Sequence, residues 1–394
     1  MTESLFQRRV ASLQHRLREQ GIAAAFITDE DSVYYYSGFY DYLHMDFGRP
    51  SIFIVPDEGT CSLVTASIEH EMAERMVSWA QVIPWQDGLG EEWRGPLRSA
   101  IAAAGNRPIG IEREHMPPIV HRFTDSAAGG SEITDISPFI AEMRMIKGEQ
   151  ELRMARHAGQ VAEAMMEAGR AAIGEGVPEF EVAMAASAAG TRKAAELLQQ
   201  HYDDASMSPN THFLQIMASG PEITMPHHRA TTRRMRRGEP VFLCFCGMTN
   251  FHRFKLGFDR TFWVDEIRDS RQAEIYQVAV DSQAAALALI RPGVMAEEVH
   301  AAYADVIQSA GYEYPFRCGR ATGFSFVEKP QLVFGDKTVL QSGMVLAVDG
   351  SVSEPGYFRA QVGDSIIVTD EGYEALTSHP KSVDAVVVGG TGQN

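Results

Sequence analysis

The sequence predicts a two-domain protein of mixed α/β class: an N-terminal α/β domain, then a larger α+β domain of paired helices and antiparallel strands. Three observations carry this expectation. A chain of 394 residues with 45% apolar and 22% charged residues exceeds the roughly 250–300 residues that one hydrophobic core serves. Residues 1–140 alternate short apolar runs with helical periods. Beyond them come two long helical patterns and then clustered strands, a different rhythm and so a different fold unit.

Element by element, Leu5, Val10, Leu13 and Leu17 fall on one helical face between Leu5 and Arg18, and Gly21 ends that helix before a buried strand, Ile22 to Ile27. Ser51–Val55, Cys61–Thr65 and Pro108–Ile111 have the length and composition of strands, with helical stretches such as Glu69–Val77 between them. Ser137-Pro138 reads as a closing turn, which sets the domains at 1–140 and 141–394. A helix is expected from Lys147 to Ile173, Gly174 to Pro178 interrupt it, and a second covers Glu179 to Gln199. Strands follow at Phe213–Ala218, Val241–Phe245, Arg260–Val264, Met344–Asp349 and Ser365–Thr369, with helices at Ser270–Ile290 and Ala296–Ala310. The order suggests a helix-plus-antiparallel-sheet unit present twice.

Fifty-two acidic against 35 basic residues give a formal charge of −17, which repels polyanions and anionic lipid surfaces. Nucleic acid and membrane are therefore not expected as partners. The basic cluster Arg229, Arg233, Arg234, Arg236 and Arg237 reads as a solvated turn or a dimer contact. Four scattered cysteines make neither a disulfide framework nor a structural zinc motif. No apolar run has the length of a membrane span, and the N-terminus lacks a signal-peptide core, so a cytoplasmic location is expected.

A chain of short motifs then points to a family. Arg8 through Gly38-Phe39, Met145 to Leu152, Ser219-Gly220-Pro221 to Pro226-His227, and Gly238 to Val264 ending in Arg260-Thr261-Phe262 occur in order. Arg291-Pro292-Gly293, Gly319 to Pro330, Gly343-Met344-Val345 and Val368 to Gly372 continue the series. Together they resemble the creatinase, aminopeptidase P and prolidase family, whose C-terminal catalytic domain has the pita-bread fold. The resemblance implies that fold for residues 141–394 and a creatinase-type domain for 1–140. It also implies a homodimer in which the N-terminal domain of one subunit overhangs the active site of the other.

Most such relatives hold two metal ions with two Asp, one His and two Glu, since hard cations sharing a bridging water need several anionic oxygens. At those positions this sequence resembles the family poorly. The first Asp position falls on Cys244, with Phe245 and Cys246 as neighbouring registers, and the second on Gly257 or Lys255. The His position is Arg320, the first Glu is Asp349, and the second Glu is Gly363 before Asp364. A guanidinium cannot ligate a metal and repels one, so no metal or other cofactor is expected. A slipped register would leave Asp259, Asp349, Asp364, Glu328 and His227 as an alternative ligand set.

The family's metal-independent members, chiefly creatinase, imply the chemistry that remains. They cleave a C–N bond in a small molecule bearing a carboxylate and a delocalised cation. The expectation is thus a small zwitterionic substrate, with Asp349 and Asp259 for the cation and Arg320 for the carboxylate. His227 is the candidate general acid/base, with His228 as a weaker neighbour. Cys244 is either a nucleophile activated by His227 and Arg320 or a small buried hydrophobe. Tyr34, Tyr35, Tyr36, Phe39, Tyr40, Tyr42, His44 and Phe47, with Arg49, form an aromatic segment that the resemblance would place over a neighbouring pocket, with Phe39, Tyr40 and Arg49 touching substrate. Two other functions stay open: an Xaa-Pro metallopeptidase, and a non-catalytic pita-bread module that binds peptide or protein.

Overall fold

A computed structural model describes residues 4–40, 49–88, 90–202, 207–209, 216–246 and 251–389. The chain divides into two compact units, Met1–Met143 and Arg144–Asn394.

In the first unit the elements run α1 (Leu5–Glu19), β1 (Ala24–Ile27), α2 (Glu30–Ser37), β2 (Ile52–Pro56), β3 (Ser62–Ala66), α3 (His70–Met76) and β4 (Gln81–Trp85). They continue as α4 (Arg94–Ala104), β5 (Ile109–Ile111), α5 (Pro118–Ala127), β6 (Ile133–Asp135) and α6 (Ser137–Met145). The strands form one mixed sheet in the order β4-β3-β2-β1-β5-β6. Its apolar strand residues Phe26, Ile52, Val64, Ile109 and Ile111 pack against Trp93, Leu97 and Ile101 of the α4 region. The opening of α1 follows from its sequence: Ser4 accepts from the Gln7 backbone while the Gln7 side chain accepts from Ser4, so two otherwise orphaned helix-end donors are satisfied.

One expectation is corrected here. Ser137-Pro138 opens a helix instead of closing a turn, because Asp135 accepts from both the backbone and hydroxyl of Ser137, and a proline in the first helical turn gives up no hydrogen bond.

The second unit begins with two long helices, α7 (Glu149–Ala172) and α8 (Glu179–His201), then β7 (Ile216–Ser219), β8 (Pro240–Cys244) and β9 (Asp259–Val264). A second helix pair follows, α9 (Ser270–Leu289) and α10 (Ala296–Ser309), then β10 (Arg317–Ala321), β11 (Glu328–Val333), β12 (Val345–Glu354), β13 (Phe358–Val368), β14 (Tyr373–Ala375) and β15 (Val387–Val388). The helix-pair-then-strands order thus occurs twice. The main path of the sheet is β11-β10-β12-β13-β9-β8-β7, with β14 on β13 and β15 on β9. This is the α/β-plus-pita-bread architecture expected from the sequence.

The basic cluster is neither bare nor merely solvated. Arg233 pairs with Glu239 and donates to Ser219, Arg234 donates to the Gly176 carbonyl, and Arg237 pairs with Glu266.

Candidate active site

Backbone register builds the centre of the site. Cys244 on β8 lies opposite Asp259 on β9, Asp259 opposite Gly363 on β13, and Gly363 opposite Asp349 on β12. Directly paired residues project to the same face of a sheet, so four adjacent strands present one row. Arg320 on β10 pairs with Ala347, two positions before Asp349 and therefore on the same face.

Glycine is required in this row. A Cβ on Gly363 would lie 2.5 Å from Asp349 Oδ1 and 2.6 Å from Asp259 Oδ2, so the two carboxylates occupy the space a side chain there would need. A Cβ on Gly257 would lie 2.6 Å from the Ala347 Cβ and 3.4 Å from a guanidinium nitrogen of Arg320. Two of the four positions that the family resemblance assigns to acidic ligands, Gly363 and the Gly257 register, are therefore closed by neighbouring side chains.

Cys244 and Asp349 of this row line a cavity of about 460 Å³. His227, Cys244, Cys246, Arg320 and Asp349 line it, with Arg317, Arg359, Gln361 and Ser351. Phe242, Phe326, Tyr303, Tyr312 and Tyr314 supply aromatic wall. Asp259 is wholly buried behind this wall, where its Oδ2 accepts from Gln361 Nε2 at 2.9 Å and lies 3.9 Å from Cys246 Sγ. Lys255, four residues before it, turns away and donates to the Phe324 carbonyl. Arg320 is buried, reaches Asp349 Oδ2 at 3.4 Å, and lies 4.3 Å over the Phe326 ring.

Three buried polar atoms here have no hydrogen-bond partner: Asp259 Oδ1, Asp349 Oδ1 and Arg320 Nε. Burial raises Asp259 well above the usual carboxylate range, and Asp349 beside it adds to the effect. Asp349 is also raised by burial, with Arg320 pulling the other way. Two desolvated carboxylates with unpaired oxygens and elevated proton affinity form an acceptor for a cationic or proton-bearing group.

The thiols divide unequally. The hydrogen bond to Cys246, then burial, pushes Cys244 well up. Cys246 is drawn down to about 7 by that same bond, against burial, with help from Arg320. Of the two, Cys246, one of the neighbouring registers, is the more acidic thiol, and the nucleophile reading left open for Cys244 suits it better. Cys244, Cys246 and Asp259 bring ligand atoms within 4.8 Å of one another, the one group of metal-capable side chains found among the described residues.

Other expected residues lie elsewhere. His228 is tied to the Met217 carbonyl through Nδ1 at 2.9 Å and is absent from the cavity wall, because it follows His227 by one residue and turns inward. Asp364 is committed to Arg260, Lys381, Thr377 and Gln283, and Glu328 to Lys147, so the alternative ligand set does not assemble. Phe39 is buried in the first unit, the Tyr40 ring meets Tyr34 edge-on at 6.1 Å, and Arg49 pairs with Asp87. Tyr42, His44 and Phe47 lie outside the described residues.

Sequence reasoning missed Arg359 and Gln361, although alternation along Phe358–Gly363 was a usable signal: positions 359, 361 and 363 share a face. No helix among the described residues is long and apolar enough to cross a membrane.

Comparison with known proteins adds the following. Residues 153–370 match the model described as metallopeptidase family M24, and residues 9–146 match that of the creatinase/prolidase N-terminal domain. The chain is 28% identical over 392 residues to an agropine synthesis cyclase from Rhizobium rhizogenes, covering 95% of this chain and 96% of that one. It is 25% identical to a creatinase from Bacillus sp. (strain B-0618), covering 95% and 90%. A dipeptidase from Pyrococcus horikoshii OT3 superposes with a TM-score of 0.80 at 26% identity, covering 95% of this chain and 99% of that one.

Proposed function

Because the chain belongs to the M24 family of hydrolases and carries a creatinase/prolidase N-terminal domain, we propose that it hydrolyses a C–N bond in a small carboxylate-bearing zwitterion with protein groups alone. The observation that carries this reading is the pair of buried carboxylates, Asp349 and Asp259, each with an oxygen lacking any partner. Such a pair, unfavourable by itself, is stabilised by a planar cation that supplies the missing donors.

The family's ion pair does not fit these residues. Gly257 and Gly363 offer no ligand and no room for one, and Arg320 points its guanidinium at Asp349. A soft donor set of two thiols and one carboxylate is unlike the oxygen-rich cradle of paired hard cations.

In the proposed mechanism Asp349, backed by Asp259, receives the cationic part of the substrate. The remaining donors of Arg320 meet the substrate carboxylate. His227, exposed at the cavity mouth with no hydrogen bond of its own among the described residues, takes a proton from water and returns it to the leaving nitrogen.

The test is the metal content of purified protein together with turnover of guanidino acids, cyclic amidines and betaines before and after chelation. Turnover at substoichiometric metal, unchanged by chelator, is the expected result. Near-stoichiometric metal with activity lost to chelator and restored by re-addition would overturn it in favour of an Xaa-Pro peptidase, as relatives named dipeptidase suggest. A ligand-induced rise in melting temperature without product would favour a binding protein. The relative named a cyclase favours one further reading, ring closure. Product mass separates the two, since hydrolysis adds a water and cyclisation removes one.

A further inference from the structure

Among the arginines lining the cavity, Arg359 stands apart. Arg320 has Asp349 as its partner, and Arg317 reaches Gln331 Oε1 at 3.4 Å. The Arg359 side chain makes neither a hydrogen bond nor a direct ion pair among the described residues, although the charges of Asp259 and Asp349 act on it from further off. Its guanidinium carbon sits 4.8 Å over the Phe242 ring. Stacking on a ring face holds the plane of a guanidinium while leaving its donor edges open.

The position of Arg359 is as informative as its freedom. On β13 it lies opposite Ser353, Gln361 lies opposite Ser351, and Gly363 lies opposite Asp349. From the inner carboxylates outward, one wall therefore presents carboxylate, then amide, then guanidinium. Arg359 and Gly363 are four residues apart, which is about 13 Å of strand at roughly 3.3 Å per residue, and the arginine side chain spans part of that distance. A ligand whose cationic group rests on Asp349 is thus met, further along the same wall, by a guanidinium that has no direct ion-pair partner and keeps its planar fork of donors open.

We propose that Arg359 is an anion-recognition residue of this cavity, and that the substrate carries a second carboxylate at the end remote from the group held by Asp349. This rests on the zwitterion reading above and narrows it to substrates with one cationic and two acidic groups. Arg320, held against Asp349, serves the inner carboxylate, and Arg359 the outer one. A guanidinium left unpaired beside apolar wall is unfavourable until an anion supplies matching acceptors, and bidentate pairing with a carboxylate provides both charge and shape.

Calorimetric titration of the full chain with guanidinoacetate, guanidinosuccinate and succinate tests the inference. The two guanidino acids share the cation and differ by one carboxylate. Wild type is expected to bind guanidinosuccinate at least tenfold more tightly than guanidinoacetate, and Arg359→Gln to abolish that difference. Equal affinities in wild type, or a preference that survives Arg359→Gln, would overturn the proposal. Arg359→Lys covers the case in which the glutamine variant fails to fold: losing most of the preference supports the bidentate assignment, and keeping all of it overturns that assignment. Succinate separates this inference from the reading beneath it. Succinate binding that disappears in Arg359→Gln, with neither guanidino acid bound, keeps the anion site and discards the zwitterion hydrolase. No binding of any of the three discards both. Inorganic phosphate bound more tightly than succinate would replace the carboxylate with a phosphate.

Discussion

Replacing Gly363 by alanine adds one methyl group at the centre of the site. That carbon would lie 2.5 Å from Asp349 Oδ1 and 2.6 Å from Asp259 Oδ2, with the Asp259 Cγ at 2.9 Å. Against an optimal non-bonded separation of about 3.5 Å, each carboxylate must withdraw by about 1 Å. Neither has an easy retreat, since Asp259 is wholly buried and Asp349 faces Arg320. A misplacement of about 1 Å in a positioning group costs about 100-fold in rate. Overpacking of this kind costs about 1–3 kcal/mol of stability, a fall of a few degrees in melting temperature for a unit of this size. The assay is kcat/KM on the guanidino acid that is turned over best, with thermal unfolding in parallel. Gly372→Ala is the control, because a Cβ there meets nothing within 4 Å. A Gly363→Ala enzyme with wild-type kcat/KM would mean that the two carboxylates do not bind the reacting group, and the argument for the site would fail.

Other substitutions probe the remaining parts. His227→Gln should lower kcat by about 10²- to 10⁴-fold while moving stability by less than about 0.5 kcal/mol, since the ring is exposed; an active variant removes the histidine from the chemistry. Iodoacetamide should label Cys246 at a rate rising through about pH 7 and should spare Cys244, and peptide mapping that finds the label on Cys244 contradicts the assignment. Asp364→Asn should cost about 3–5 kcal/mol at neutral pH by leaving Arg260 buried without its carboxylate. Burial alone would raise Asp364, but Arg260 and Lys381 bring it below the usual range. Its contribution is therefore complete above the unfolded value near 4 and fades as pH falls through the lower folded one. Denaturant melts of wild type and variant should converge on acidification, and a gap that stays constant to pH 2 would refute the linkage.

The parts of the fold that could be read in the sequence were those whose residues choose one conformation locally. Val241–Phe245 and Met344–Asp349 are runs of apolar and β-branched residues, and both lie on strands. Ser137-Pro138 was ambiguous because serine and proline suit a turn and a helix start equally; the deciding contact is the Asp135 carboxylate two residues upstream, a local cap. The strand Arg317–Ala321 gave little signal, having a glycine and two arginines in five residues, and its identity comes from pairing with β12 and β11. In the site, His227, Arg320 and Asp349 were found from motif position. Cys246 against Cys244 was not decidable in advance, since the two are a residue apart at the end of β8 and their proton partition depends on their mutual hydrogen bond, on burial and on Arg320, which is distant in sequence. For Arg359 the sequence offers only strand alternation, which puts it on one face with Gln361 and Gly363; its stacking on Phe242 shows only in the fold.

The row Cys244, Asp259, Gly363 and Asp349 is stitched by main-chain pairing, so the backbone fixes where each position stands, and at every position but the crowded Gly363 the side chain is what can change. Such a row behaves like a pegboard with fixed holes. Swapping a handful of pegs re-equips the cavity for another charge pattern without the strands having to find new neighbours, and a lineage can thereby change what it digests faster than it changes shape.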